Sequence, residues 1–281
     1  MEIQGQFVPK KLAGVKPEIK GLWWKGNKEL VVSEKIVAIV GSRRMSQYGK
    51  RVLAEIVPRL VELGYVTISG FMYGIDIEMH GLTIENGGQT IGVFGWGIDA
   101  PILPENVNLY HKVLENDGLF LSEIEPKQLG ELWTFPRRNR IVVGLSDLVI
   151  VVEAGMKSGS LNSAEWARKM GKPVYAVPGS IFSSVSLGCN WLIEAGLAKP
   201  MILDYFNQKT CSEKVRINRT KRKMSEGESK LITLLTQGGP RSVNELARAT
   251  GTSAGEVSAN LTSLLLKGEV GEERGVWGMA R

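Results

Sequence analysis

Four segments of this 281-residue chain group glycine, hydroxyl and arginine residues in ways that suit an anion. Gly41-Ser42-Arg43-Arg44 follows the apolar run Ile36-Val37-Ala38-Ile39-Val40. A glycine at such a turn lets the backbone approach a ligand, and free N–H groups at the next helix start would face it. Arg43 can fork onto a phosphate. The competing reading is a tight turn with a surface arginine. Ser69-Gly70 leads into Gly74-Ile75-Asp76, where Asp76 is read first as a helix-start acceptor and second as a group that orients an arginine.

The third segment is Phe135-Pro136-Arg137-Arg138-Asn139-Arg140. Proline suits a first helical turn. Like charges this close repel, so an anion or several carboxylates must lie nearby. Phe135 and Trp133 are assigned to core packing in preference to stacking on a base. In the fourth, Lys157-Ser158-Gly159-Ser160, a phosphate cradle and a polar loop with a serine cap carry equal weight. Glu153, just upstream, is a candidate to hold a neighbouring arginine. Pro178-Gly179, Gly188 and Asn190 read as turns.

The elements that must position these segments alternate. Apolar runs at 36–40, 66–69, 90–94, 119–122, 148–152 and 174–177 are separated by helical patterns near 52–61, 75–85, 106–116, 137–145 and 160–170. Pro58 predicts a kink in the first helix. Such alternation implies an α/β fold with a mainly parallel sheet covered on both faces. Ligands then sit beyond the carboxyl ends of the strands, where all four segments fall.

Residues 225–281 differ. Ser225 with Glu228, Ser242 with Glu245, and Ser253 with Glu256 are capping-box patterns, each opening a short helix. Val257, Leu261, Leu264 and Leu265 make one apolar face of the third helix, and 270–277 predicts a wing. The tail reads as a small winged-helix domain. Its six cations face seven anions, which favours protein contact or regulation over duplex reading.

The net charge is +6, and most of it lies in 204–224, where seven basic residues face two acidic ones. This stretch is either a solvated linker or an auxiliary phosphate-binding arm. The division is 1–203, 204–224 and 225–281. With only Cys189, Cys211, His80 and His111, neither a metal site nor Cys–His catalysis is expected. There is no Walker A string, and Pro101 and Pro104 interrupt the dinucleotide-like start at Gly95-Trp96-Gly97. No apolar run is long enough for a bilayer and no signal-peptide pattern opens the chain, so a cytoplasmic location is expected.

In order and spacing over 36–196, the strings resemble the DprA/Smf family of bacterial DNA-processing proteins. They are Val40-Gly41-Ser42-Arg43, Ser69-Gly70 with Gly74-Ile75-Asp76, His80, Gly97 with Asp99, and Ser122-Glu123. Then follow Phe135-Pro136 with Arg138-Asn139-Arg140, Val152-Glu153-Ala154, Ser158-Gly159-Ser160-Leu161, Pro178-Gly179, and Gly188, Asn190, Leu192 and Ile193. The resemblance implies an extended Rossmann-like fold and a homodimer. It also implies a protein that binds and protects single-stranded DNA and helps load the recombinase RecA in natural transformation, without catalysis and without a cofactor. The implied phosphate-binding set is Gly41, Ser42, Arg43, Arg138, Asn139, Arg140, Lys157, Ser158, Gly159 and Ser160. Phe71-Met72-Tyr73 departs from the smaller residues usual there and is expected to reshape the pocket floor. The N-terminal helical domain of many relatives is expected to be missing. Two alternatives remain. One is a nucleotide-processing enzyme similar to the LOG phosphoribohydrolases, although Ser163 stands where their catalytic glutamate would be and Glu165 is nearby. The other is a nucleotide-sensing transcription regulator.

Overall fold

The computed structural model describes residues 4–202, 225–266, 269–273 and 275–279. The chain forms two compact units, Met1–Thr210 and Cys211–Arg281. The basic stretch 204–224 lies outside the described residues.

The first unit runs β1 (Gln4–Phe7), β2 (Leu22–Gly26), β3 (Ile36–Val40), α1 (Gln47–Glu62), β4 (Val66–Ser69), α2 (Ile75–Glu85) and β5 (Thr90–Phe94). It continues with α3 (Val107–Glu115), β6 (Leu119–Ser122), α4 (Thr134–Leu145), β7 (Leu148–Val151), α5 (Gly159–Lys169), β8 (Val174–Ala176), α6 (Leu187–Glu194) and β9 (Lys199–Pro200). The nine strands make one sheet in the order β1-β2-β6-β5-β4-β3-β7-β8-β9. From β6 to β9 every pairing is parallel, whereas β1 and β2 join antiparallel at the β6 edge.

All five residues of β3 are buried, as a central parallel strand covered on both faces requires. Val37 and Ile39 pack with Leu53, Ile56, Val57 and Leu60 of α1. Ile36, Ala38 and Val40 share the opposite core with Ile141, Val142 and Leu145 of α4 and Ala164 and Ala167 of α5. This is the period-two alternation of a strand matched to one apolar stripe of each helix. α1 runs continuously through Pro58.

The residues before β3 supply two strands that lengthen the sheet. Their local pattern gave no signal, because only Leu22 of β2 is buried. Phe71 and Met72 lie in the core, whereas Tyr73 of the same string is exposed. Phe71 packs against Phe94, Phe120 and His80, with a positive φ of 57°.

The second unit contains α7 (Glu226–Gly238), β10 (Arg241–Ser242), α8 (Val243–Thr250), α9 (Ala254–Leu266), β11 (Val270–Glu273) and β12 (Val276–Met279). The strands pair in the order β10-β12-β11, so the third helix is followed by a two-stranded wing. Reciprocal Ser–Glu bonds close the starts of α7 and α8, and Ser253 and Glu256 do the same before α9. Leu231, Leu235, Leu246, Val257, Leu261, Leu264 and Val270 form the core, whereas Leu265 faces outward.

Candidate functional site

The chain builds β3 to β6 outward in one direction and then crosses back to place β7 on the other side of β3. The loops after β3 and β7 therefore diverge, the usual place for a ligand in an open parallel sheet. Gly41–Met45 follows β3, Gly70–Gly74 follows β4, and Val152–Ser158 follows β7.

The two glycine-bearing loops are interlocked. A Cβ on Gly41 would lie 2.5 Å from the Ile75 side chain. Gly74 has φ 68°, and a Cβ there would strike the carbonyl oxygens of Ser42 and Arg43. Ile75 N–H donates to Ser42 O at 3.2 Å. Within its own loop the Ser42 hydroxyl accepts from Arg44 N–H at 3.0 Å. Only glycine allows this approach, and the result is a fixed backbone from which Arg43 and Arg44 project into solvent.

Arg43 is exposed, and its guanidinium carbon lies 5.4 Å from the Phe135 ring centroid. Phe135 is half-buried against Gly95 and Trp96. The assignment of Phe135 to packing thus describes its position, while one part of the ring supports the arginine. Trp133 differs from its assignment: half its surface is open, Arg137 lies over its ring, and it is not a core residue.

The cluster on α4 divides by depth. Arg138 is buried and donates to Gly70 O at 2.5 Å and to Val93 O. It joins the carbonyl just past β4 to one near the end of β5, and a Cβ on Gly70 would collide with it. Asp76 is buried beside it and accepts from Met72 N–H at 3.4 Å. Burial pushes the Asp76 carboxyl above its ordinary value, against the pull of Arg138, Ser69, Met72 and Arg43. Burial, with repulsion from Arg43, lowers Arg138 to about 10, while Asp76 acts to raise it. Asp76 thus accepts from the backbone just before α2 and lies within reach of the arginine's charge, with no ion pair within 4 Å between the two.

Arg140 is fully buried, with Nη2 donating to Glu123 at 2.6 Å. Glu123 also takes Arg137 at 3.3 Å. The carboxylate that the arginine cluster demanded is thus Glu123, which takes two of its three arginines. Arg138 and Arg140, both placed in the phosphate-binding set, are turned inward, because residues 140–145 are buried all round the helix and Arg138 shares a face with Ile141 and Val142. Arg137, left out of that set, is the half-exposed member.

Asn139 joins α4 to the fourth segment. Its amide donates to Gly159 O at 3.2 Å and to Asn162 at 3.4 Å. Ser158 is the N-cap of α5, accepting from Ser160 N–H, and the two hydroxyls lie 2.6 Å apart. The serine-cap reading therefore describes both side chains, while Lys157 stands exposed before them. α4 is held at its far end by Lys172, which donates to Val143 O, Gly144 O and Ser146 O at 2.6–2.8 Å.

Glu153 holds Ser46 rather than an arginine. Its carboxylate accepts from Ser46 N–H at 2.9 Å and from the Ser46 hydroxyl. Ser46 is the N-cap of α1, so a protein carboxylate already occupies that helix start. The expectation of free α1 N–H groups facing a ligand is corrected accordingly. Beside them is a cavity of about 450 Å³ lined by Ser46, Tyr48, Glu153, Pro178, Gly179, Ser180, Ser183 and Ser186.

The exposed cations on these loops are accordingly Arg43, Arg44 and Lys157, with Arg137 half-exposed on the first turn of α4 and paired to Glu123.

Residues 2–209 match the family model of DNA recombination-mediator protein A, and residues 218–275 match the DprA winged helix domain. The DNA processing protein DprA of Streptococcus pneumoniae is 42% identical over 175 residues, 62% of this chain and 61% of that protein. The chain thus matches less than two thirds of that relative's length. A putative DNA processing protein DprA of Mycobacterium tuberculosis is 30% identical over 267 residues, 92% of this chain and 68% of the relative. Among solved structures, DNA processing protein A of Helicobacter pylori, described for its single-stranded DNA binding mode, superimposes with a TM-score of 0.66 at 31% identity. That match covers 75% of this chain and 96% of the other. The X-ray structure of S. pneumoniae DprA gives 0.66 at 38% identity over 72% of this chain and 70% of that one. The motif order, the sheet that carries it and both domain matches agree: the chain belongs to the DprA/Smf family of DNA recombination-mediator proteins.

Proposed function

We propose that this protein binds single-stranded DNA through the exposed rim around Arg43 and acts by holding the strand, without altering it chemically. The observation that carries the reading is the state of Arg43. It is exposed, seated on Phe135, carried by an interlocked glycine loop, and has no ion-pair partner within 4 Å among the described residues. Cations on a fixed backbone suit phosphates in any sequence context, which is how sequence-tolerant single-strand binders work.

Kinship supplies the rest of the proposal. The protein would protect single strands, help load RecA in natural transformation, and act as a homodimer in the cytoplasm. Among the described residues no helix is long and apolar enough to cross a membrane. The enzyme alternative loses support at α5. Ser163 is buried, and Glu165 lies on the helix surface with Lys169 at 2.7 Å, so neither offers a free carboxylate to a substrate.

The test is equilibrium binding of the whole protein to a labelled single strand and to its duplex across a salt series. Preference for the single strand, with affinity falling steeply as salt rises, is the expected result. Equal or absent binding overturns the reading, and steady release of base from a nucleotide would establish the enzyme instead.

A further inference from the structure

We propose that Trp133 is a base-stacking platform at the edge of this rim, taking one nucleobase of the strand whose phosphates the cations hold. The inference rests on the single-strand reading above and deepens it.

The large aromatic residues Phe71, Phe94 and Phe120 are fully or almost fully buried and pack on one another. Trp133 is 50% exposed, and the neighbouring Leu132 is 93% exposed. Leaving an indole in water costs solvation free energy, and here the ring is also held in one orientation. Its Nε1–H donates to Glu131 at 2.7 Å. The guanidinium carbon of Arg137 lies 5.6 Å from the ring centroid, and Arg137 is itself tied to Glu123 at 3.3 Å. The backbone beside the ring is fixed by the buried Thr134 hydroxyl, which donates to Gly95 O at 2.5 Å. A ring held this way loses little freedom when a second flat group stacks on it.

Its position relates it to the rim. Trp133 and Arg137 are one helical turn apart, so their side chains share a face of α4, and Arg137 is the half-exposed arginine of that helix. Phe135 carries Arg43 at 5.4 Å. A strand whose phosphate meets Arg137 therefore carries its base next to the indole. A flat apolar face bordered by guanidinium groups matches a nucleobase flanked by phosphates better than it matches an apolar protein surface.

The test compares the protein, Trp133→Ala and Trp133→Phe on an oligothymidylate and on an abasic strand of the same length and charge. Trp133→Ala is expected to weaken oligothymidylate binding about ten-fold, since stacking on one base is a contribution of this order. It should leave abasic-strand binding and the salt slope unchanged, because no phosphate contact is lost. Trp133→Phe should recover most of the affinity, which also separates stacking from misfolding. Unchanged oligothymidylate binding by Trp133→Ala, in a protein that does bind the strand, overturns the platform alone and points to a protein-docking role for Leu132 and Trp133. Equal losses on both strands also overturn it. Failure of the unaltered protein to bind either strand overturns both this proposal and the reading on which it rests.

Discussion

Arg138 and Arg140 lie beneath the loops, while Arg43 and Lys157 lie on them. The buried pair is committed to protein acceptors: Arg138 to Gly70 O and Val93 O with Asp76 alongside, and Arg140 to Glu123. The outer pair is exposed, and Arg43 touches the face of an aromatic ring. A guanidinium in the interior must be matched by carbonyls and carboxylates, so its charge is spent on holding loops together. At the surface the same group is free for a phosphate. The comparison therefore separates two ways of losing function: collapse of the support, and removal of a contact from an intact support.

The largest effect is expected at the support. Arg138→Ala leaves the carbonyls of Gly70 and Val93 without their donor and should destabilise the protein by about 2–4 kcal/mol in urea unfolding. A stable Arg138→Ala protein that simply binds DNA less well would place Arg138 on the rim and break the distinction.

The second effect is on pH dependence. His80 is buried behind the arginine, bonded to Thr90 at 2.7 Å, and burial lowers its pKa to about 3 from 6.5. Between those values the unfolded chain carries a proton on this group and the folded chain does not. Its contribution to stability is therefore complete above pH 6.5 and is lost as the pH falls towards 3. The slope is about 1.4 kcal/mol per pH unit. In His80→Gln, urea unfolding at several pH values should show a flatter dependence over this window. An unchanged slope would assign the acid sensitivity to other groups.

On the rim, Arg43→Ala should leave the unfolding midpoint unchanged within about 0.5 kcal/mol. Single-strand affinity should fall about five-fold, and the log–log salt slope by about 0.7, the share of one phosphate contact. The smallest effect is expected from Lys157→Ala, whose flexible ammonium makes a weaker contact: a few-fold loss of affinity, a similar change in slope and no change in stability. A loss of stability in either variant would show that rim and support are not separate.

Much of this was legible in the sequence, because the central strands are short apolar runs with only one reasonable assignment. The three Ser–Glu pairs of the tail named their own helix starts, since a capping box is a local contact. β1 and β2 were not legible. They gain their place by pairing with β6, a partner distant in sequence, and Trp23, Trp24 and Lys25 leave no periodic trace. In the site, the glycines at 41 and 74 were read as sites of close backbone approach, and the structure shows which atoms approach. The depth of each arginine was not read, because Arg137, Arg138 and Arg140 are equivalent as residue types and differ only in what the helix packs against.

By itself, then, the sequence determined the α/β alternation, the winged-helix tail, the family and the loops that carry the site, since all of these follow from local pattern and motif order. Only the tertiary structure decided that two carbonyls take Arg138 and Glu123 takes Arg140, that Glu153 occupies the start of α1, and that Trp133 stays outside the core. Those outcomes depend on which groups share a low-dielectric interior, and that is settled by contacts between residues far apart in the chain.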